Sequence, residues 1–303
     1  MASDQGPTVQ SALLRNELVR LRRESELTQQ QVAEALEWSP SKLIRIEGGA
    51  SSITKVDLDA LLARYGVTSE SRRERLQALN RGARERAWWD SYRDDISPQY
   101  LNYVGFETGA SAIRQFQIGY IPGLLQTSEY SEAATVIGRV DPAKVERIAT
   151  FRVRRQQELQ QRSHPPRQYF VLDEAVIRRH VGIDKDRTVM PRQLRDIADR
   201  AERDELLTVR VIPFEAGGYP GGVHGTFTLM SFEEGLPDVL FLDADQGVFT
   251  MIGGNDPRVA NHSEHFEDLL QAALPAAESA ELIRRVATSM SLAVPSHLSQ
   301  NSR

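Results

Sequence analysis

Leu27-Thr28-Gln29-Gln30-Gln31-Val32-Ala33, then after a short gap Ser39-Pro40-Ser41-Lys42-Leu43-Ile44-Arg45-Ile46-Glu47-Gly48-Gly49, is the stretch from which the rest of the chain is best read. Thr28 is a residue type whose hydroxyl accepts from the free amides of a first helical turn, so it marks a helix start. Ser39, with Pro40 at the first helical position, marks a second start, and Gly48-Gly49 is the expected stop. Ala33 is small where two short helices crossing steeply must approach, while Leu43 and Ile46 turn the apolar side of the second helix inward. The opposite side stays polar. Ser41 and Arg45 are four apart and Lys42 and Arg45 three apart, so they share one exposed face of a kind that enters a DNA major groove.

Outward from this pair, apolar residues between about 12 and 65 recur at three- and four-residue intervals, with no strand pattern between them. Leu14, Leu18 and Leu21 form one stripe; Leu58, Leu61, Leu62 and Tyr65 form another, which ends at Gly66. Residues 10–68 therefore read as an all-α helix-turn-helix DNA-binding domain, and the charged stretch 69–98, with Trp88-Trp89 near its end, as a helical linker and hinge. Residues 99–295 read as a larger domain for dimerisation and for receiving an effector or partner. It has helical patterns at 101–112, 128–137, 142–161 and from about 258, and strand candidates at 169–172, 207–213, 226–232, 239–243 and 248–252. Gly- or Pro-containing turns separate the last four strands, which predicts antiparallel pairing between neighbours. The expected class is α+β: a helical N-terminal bundle, then a mainly antiparallel sheet with flanking helices and a disordered tail at 296–303.

Composition narrows the function. With 40% hydrophobic and 26% charged residues the chain can bury a core, and 303 residues suit two domains. No apolar run approaches the roughly 18 residues of a membrane span, and the first residues lack a basic cluster followed by an apolar stretch. A cytoplasmic protein without membrane contact is expected. The absence of cysteine excludes disulfides, thiolate metal sites and a cysteine nucleophile. The net charge of −5 divides unevenly: residues 1–86 carry +2 and the remainder −7, so attraction for phosphate is confined to the N-terminal end.

With these residues in place, residues 12–67 resemble the XRE family, the lambda-repressor and Cro type of helix-turn-helix. The resemblance implies that Gln29 contacts DNA backbone or base, flanked by Thr28 and Gln30, and that Pro40, Ser41, Lys42 and Arg45 lie at or beside reading positions, next to Ser39. Arginine is the best donor for guanine edges, Ser41 serves base or phosphate, and Ile44 can meet a thymine methyl. Pro40 departs from relatives that read a base there, and Arg22 and Glu47 match a structural ion pair. Further along, Tyr103-Val104-Gly105-Phe106-Glu107, Ile121-Pro122-Gly123-Leu124-Leu125-Gln126-Thr127, Val171-Leu172-Asp173-Glu174-Ala175, Val211-Ile212-Pro213-Phe214-Glu215-Ala216-Gly217 and Gly225-Thr226-Phe227-Thr228-Leu229 are similar to a large actinobacterial regulator family. In that family an XRE-type domain precedes a domain long catalogued as of unknown function. Its members are described as antitoxin-like regulators, often encoded beside a small partner protein.

The expectation is thus a transcription regulator that binds double-stranded DNA at a palindromic operator as a homodimer and receives a small partner protein or small-molecule effector. The alternative is an antitoxin-like interaction module whose DNA binding serves autoregulation. No enzyme, cofactor or metal is expected, because no triad, metal set or phosphate loop is complete. The glycine cluster Gly217-Gly218-Tyr219-Pro220-Gly221-Gly222 lacks a following Gly-Lys-Ser/Thr and reads as a surface turn, or as a lid ending in His224. His262 and His265, three apart on a helix, could face one metal, but no third ligand is suggested nearby. Asp173 and Glu174 read as a helix cap rather than catalytic carboxylates, and Trp88 and Trp89 as hinge packing rather than a ligand site.

Overall fold

The computed structural model describes residues 5–138, 141–219, 222–233, 235–243, 249–254 and 256–292. Pro220, Gly221, Val248 and the tail from residue 296 lie outside these, so the expectations placed on them are not addressed.

The N-terminal apolar stripes form helices as their spacing predicts. Helix α1 (Pro7–Glu24) is followed by α2 (Gln29–Ala35), α3 (Pro40–Gly48), α4 (Lys55–Arg64) and α5 (Glu70–Gly82). Leu14, Leu18 and Leu21 of α1 meet Val32, Leu43, Ile46, Leu58, Leu61 and Leu62, all buried in one cluster. Helix α5, in the stretch expected to link two domains, packs along α1. It is also tied to α4, where Gln77 Nε2 donates to Asp59 Oδ1 at 2.8 Å. After it, a 3-10 turn (Trp88–Tyr92) buries Trp89 and sets the Trp88 ring 5.2 Å from Phe151, so the tryptophans pack the junction.

Beyond the junction come α6 (Pro98–Glu107), β1 (Ala112–Gln117), α7 (Ser128–Ile137), α8 (Pro142–Gln160), β2 (Arg167–Asp173), α9 (Glu174–Arg178), α10 (Val189–Arg203) and β3 (Leu207–Ile212). They are followed by β4 (Phe227–Ser231), β5 (Val239–Asp243), β6 (Phe249–Ile252), α11 (Pro257–Ala272) and α12 (Ala276–Leu292). The strands form one sheet in the order β3-β2-β1-β4-β5-β6. The α+β class holds, with antiparallel pairing for β1–β4, β4–β5 and β5–β6. The expectation of antiparallel neighbours fails at β3: it runs parallel to β2 at the far edge of the sheet, and β4 pairs with β1. Strands β3 and β4 are therefore not a hairpin, since β2 and β1 lie between them in the sheet. Strand β1, absent from the sequence reading, is central, and the helix expected to reach Ala112 ends at Glu107.

Alternation along the strands gives the sheet two apolar faces. Ile113, Phe170, Leu172, Val209, Val211, Met230 and Phe241 face a large cluster that runs on through α6, α8, α10 and α12 into the N-terminal bundle. Phe116, Val171, Ile212, Phe227, Leu229 and Leu240 face the other way and pack with Val259, Phe266 and Leu269 of α11. Arg210 on that second face donates to the carbonyls of Leu274 and Ala273 at 2.7 and 2.6 Å, satisfying the end of α11.

Helices α6 and α8 are held together by charge in the first cluster. Arg155, with a 4% exposed side chain, engages both carboxylate oxygens of Glu107, 1% exposed, and donates to the Tyr100 hydroxyl at 2.6 Å. Burial works against the Arg155 charge, but Glu107 outweighs it and holds the guanidinium well above its ordinary pKa. Removing one partner of such a pair leaves a buried uncompensated charge, which costs more than the pair itself contributes. Glu107→Gln is therefore expected to lose about 3–5 kcal/mol in urea unfolding, and Glu107→Gln with Arg155→Met to recover most of it.

Candidate nucleic-acid interface

The two-helix unit is built as its capping residues dictate. Thr28 Oγ1 accepts from the Gln31 amide at 3.2 Å while Gln31 Oε1 accepts from the Thr28 amide at 2.9 Å, a reciprocal box that fixes the start of α2. Ser39 stands at the N-cap of α3, but its hydroxyl lies 3.2 Å from the Ser41 hydroxyl and makes no capping bond. Gly49, at φ 79°, closes α3, with the Ala50 amide bonded to the Arg45 carbonyl at 2.8 Å. A β-carbon on Gly49 would strike the Arg15 guanidinium, so the left-handed residue also makes room for a neighbour.

A charged network locks α1, α2 and α3 together. Arg22 grips Glu47 with two nearly parallel bonds of 2.7 and 3.0 Å, and Gln29 Nε2 donates to Glu47 Oε2 at 2.8 Å. The side chains of Arg22 and Glu47 are 13% and 5% exposed, so water screens this pair little. The hydrogen bond from Glu47 raises the Arg22 pKa, with burial opposing it. The structural pair implied by the resemblance is present, and it engages the amide of Gln29, a residue expected to meet DNA.

The outer face of α3 carries Ser41, Ile44 and Arg45, all exposed, with Ile44 at 52%. Among the described residues the Arg45 side chain has no hydrogen bond or ion pair, so its five donors are free for a ligand. Lys42 is placed differently: its ammonium donates to Asp57 Oδ1 at 2.8 Å and sits 3.8 Å over the Trp38 ring. Burial raises the Asp57 carboxyl, but the bonds from Lys42 and Thr54 outweigh it and hold it below the usual range. Pro40 is exposed, and Gln30 is exposed but bonded to Glu34 at 2.9 Å. Arg23, which the motif did not single out, lines the same recess as Gln29 and Ile44. Its last-turn position on α1 was the available signal.

Elsewhere the structure sorts the remaining candidates. Asp173 caps α9, accepting from the Ala175 amide at 2.8 Å and from the Tyr219 hydroxyl at 2.7 Å. Glu174 is buried and accepts from the Phe214 amide at 2.7 Å and from Arg178 at 2.8 Å. Both carboxylates are thus occupied with backbone and turn. His262 and His265 project from α11, and the fold brings to them the third imidazole that spacing did not suggest, His224, with donor nitrogens within 4.8 Å of one another. At the carboxyl end of β1, where the sheet changes from parallel to antiparallel pairing, lies a cavity of about 280 Å³ lined by Tyr100, Tyr103, Gln115, Gln117 and Gln126 among others. Gln126 Oε1 is buried there with no partner among the described residues. Among those residues, no helix is long and apolar enough to cross a membrane.

Compared with known families, residues 100–285 match the family described as Domain of unknown function (DUF5753), and residues 13–76 match a Helix-turn-helix domain. No curated protein and no solved structure matches the chain.

The turn between α2 and α3 holds one residue against its preference. Glu37 sits at φ 56°, with its amide on the Glu34 carbonyl and the Trp38 amide on the Ala33 carbonyl, a helix ending that usually takes glycine. Left-handed geometry costs a residue with a β-carbon about 1–2 kcal/mol. Part of this is offset by the greater unfolded-state freedom of glycine. Glu37→Gly is expected to stabilise the chain by about 0.5–1 kcal/mol, read as a higher unfolding temperature.

Proposed function

The chain belongs to the DUF5753 family, with a helix-turn-helix domain in front, and on that premise we propose that it is a sequence-specific transcription regulator reading DNA through the outer face of α3. The observation that carries this reading is the free guanidinium of Arg45, beside Ser41 and Ile44, on a helix whose inner side is bolted to α1 by Arg22 and Glu47. A preorganised helix does not have to be ordered on binding. Arg45 takes the guanine-reading role, Ser41 a base or phosphate, Ile44 a thymine methyl; Thr28, Gln29, Gln30, Ser39 and Pro40 flank the groove. Lys42 takes a phosphate when it releases Asp57. Two copies on a palindromic operator place their recognition helices about 34 Å apart.

The larger domain receives the signal in this proposal. The cavity at the end of β1 is of small-ligand size, and the unpartnered Gln126 oxygen calls for a donor on whatever fills it. The resemblance to antitoxin-like actinobacterial regulators supports a small partner protein as the other input. A stoichiometric complex with such a protein, formed without DNA and blocking operator binding, would place the chain in that class.

The test is recovery of genomic fragments with intact protein and with Arg45→Ala, then footprinting of the strongest site at two salt concentrations. An inverted repeat that Arg45→Ala distinguishes from mutated sites less well, by about 1–3 kcal/mol, is the expected result. Diffuse, salt-sensitive binding unaffected by Arg45→Ala would overturn the reading. Asp57→Asn frees Lys42 and removes a nearby negative charge, so it is expected to tighten binding to all sequences and steepen the salt dependence by about one counterion.

A further inference from the structure

After β3, the Tyr219 hydroxyl donates to Asp173 on the end of β2. Ahead of β4 a 3-10 turn (Gly222–His224) places His224 over α11. There the His224 ring stacks on His265 with centroids 4.0 Å apart, and His262 lies 5.7 Å from His224 and 5.5 Å from His265. We propose that His224, His262 and His265 form a nitrogen-only site for a borderline transition-metal ion, Zn²⁺ in the first instance, which clamps the Gly222–His224 turn onto α11.

Four features of the cluster support a metal rather than a plain ring stack. First, His262 and His265 are three apart on one helix and so share a face, the arrangement by which two imidazoles reach one ion. Second, His262 Nδ1 lies 2.8 Å from the Arg258 carbonyl; donating a proton there leaves Nε2 as a lone pair, the outer-sphere arrangement typical of ligating histidine. Third, His265 Nδ1 is buried and has no hydrogen-bond partner among the described residues, a loss of about 1–3 kcal/mol unless something accepts its electron pair. Fourth, the nearest cation on the helix, Arg258, is already paired with Asp256 by bonds of 3.0 and 2.7 Å, so its charge does not stand against an ion.

The geometry asks for one movement. Nitrogens bound to a tetrahedral ion at about 2.0–2.1 Å stand about 3.4 Å apart, whereas the present donors lie within 4.8 Å. Two rings inclined by 14° also cannot both aim at a shared point, so the exposed His224 ring must fan away from His265 as the ion enters. The backbone permits this: Gly225, at φ 70°, has open space around it. His262 and His265 stay fixed by α11 and by the Phe227 ring, 5.0 Å from His262. Neutral nitrogen donors suit Zn²⁺, Ni²⁺ or Co²⁺ and give Mg²⁺ or Ca²⁺ nothing they prefer. Three protein ligands leave a fourth position open. Because Thr226, two residues beyond His224, lines the cavity at the end of β1, the clamp also fixes part of that rim.

The experiment titrates untagged full-length protein with Zn²⁺ by calorimetry and, in parallel, follows proteolysis within residues 222–225. About one Zn²⁺ per chain is expected, with Mg²⁺ giving no heat and Zn²⁺ slowing cleavage of the turn. His224→Ala, at an exposed position outside the core, is expected to keep the wild-type circular dichroism, weaken Zn²⁺ binding at least about tenfold and abolish the protection. His265→Gln should weaken binding likewise, and His164→Ala should not. No Zn²⁺ uptake by the wild type, or uptake and protection unchanged in His224→Ala, would overturn the proposal. None of these readouts depends on DNA binding.

Discussion

Helix α1 packs against the helix-turn-helix bundle and against α6 at once, and the rest of the molecule depends on that. Its C-terminal half lies in the helix-turn-helix bundle through Leu18 and Leu21, and its N-terminal half lies against α6 through Thr8 and Val9. The approach is close enough that a β-carbon on Gly105 would sit 2.1 Å from Thr8 Oγ1, and one on Gly109 would sit 2.6 Å from Val9 Cγ2. Two glycines therefore set the distance between the helix-turn-helix unit and the sheet domain. The apolar cluster that results is continuous from Val9 to Ala287, with α5 and the two tryptophans filling the space beside it. The two domains thus share one apolar core.

On the N-terminal side, electrostatics divides the polar residues into those that hold the unit and those that are free. Arg22, Glu47 and Gln29 satisfy one another in a poorly hydrated pocket, where leaving any one unpaired is costly. Lys42 is half engaged, by Asp57 and the Trp38 ring. Arg45 is left as an uncommitted fork on an exposed face.

The cavity of the sheet domain lies at the carboxyl end of β1. Strand β1 has a parallel neighbour on one side and an antiparallel one on the other, and open sheets leave a crevice where the strand order turns about in this way. Gln115 and Gln117 point into that crevice, while Arg114, on the opposite face, reaches Ser263 of α11 and Asp238. The three histidines lie on the α11 side of the same sheet. A single polar strand thus looks toward a cavity on one face and toward the helix that carries the imidazoles on the other.

That strand shows where sequence reading stops. Ala112–Gln117 is Ala-Ile-Arg-Gln-Phe-Gln, too polar to signal a central strand, because three of its side chains serve a cavity and an ion pair rather than a core. The edge position of β3 was hidden for another reason: pairing partners are chosen by the helices that cross between strands, and spacing along the chain does not record them. By itself the sequence determined what depends on neighbours within a turn or two: the caps at Thr28 and Gly49, the apolar stripes of the first helices, the polar face of α3, the α+β class and the helix that carries His262 and His265. The tertiary structure alone decided which long-range partners those residues meet: Asp57 for Lys42, Glu107 for Arg155, the Thr8–Gly105 contact that joins the domains, and His224 beside the other two imidazoles. Local signals come from backbone hydrogen bonds and helical period, which act over a few residues. Partner choice comes from burial in a shared core, which becomes definite when the whole chain has packed.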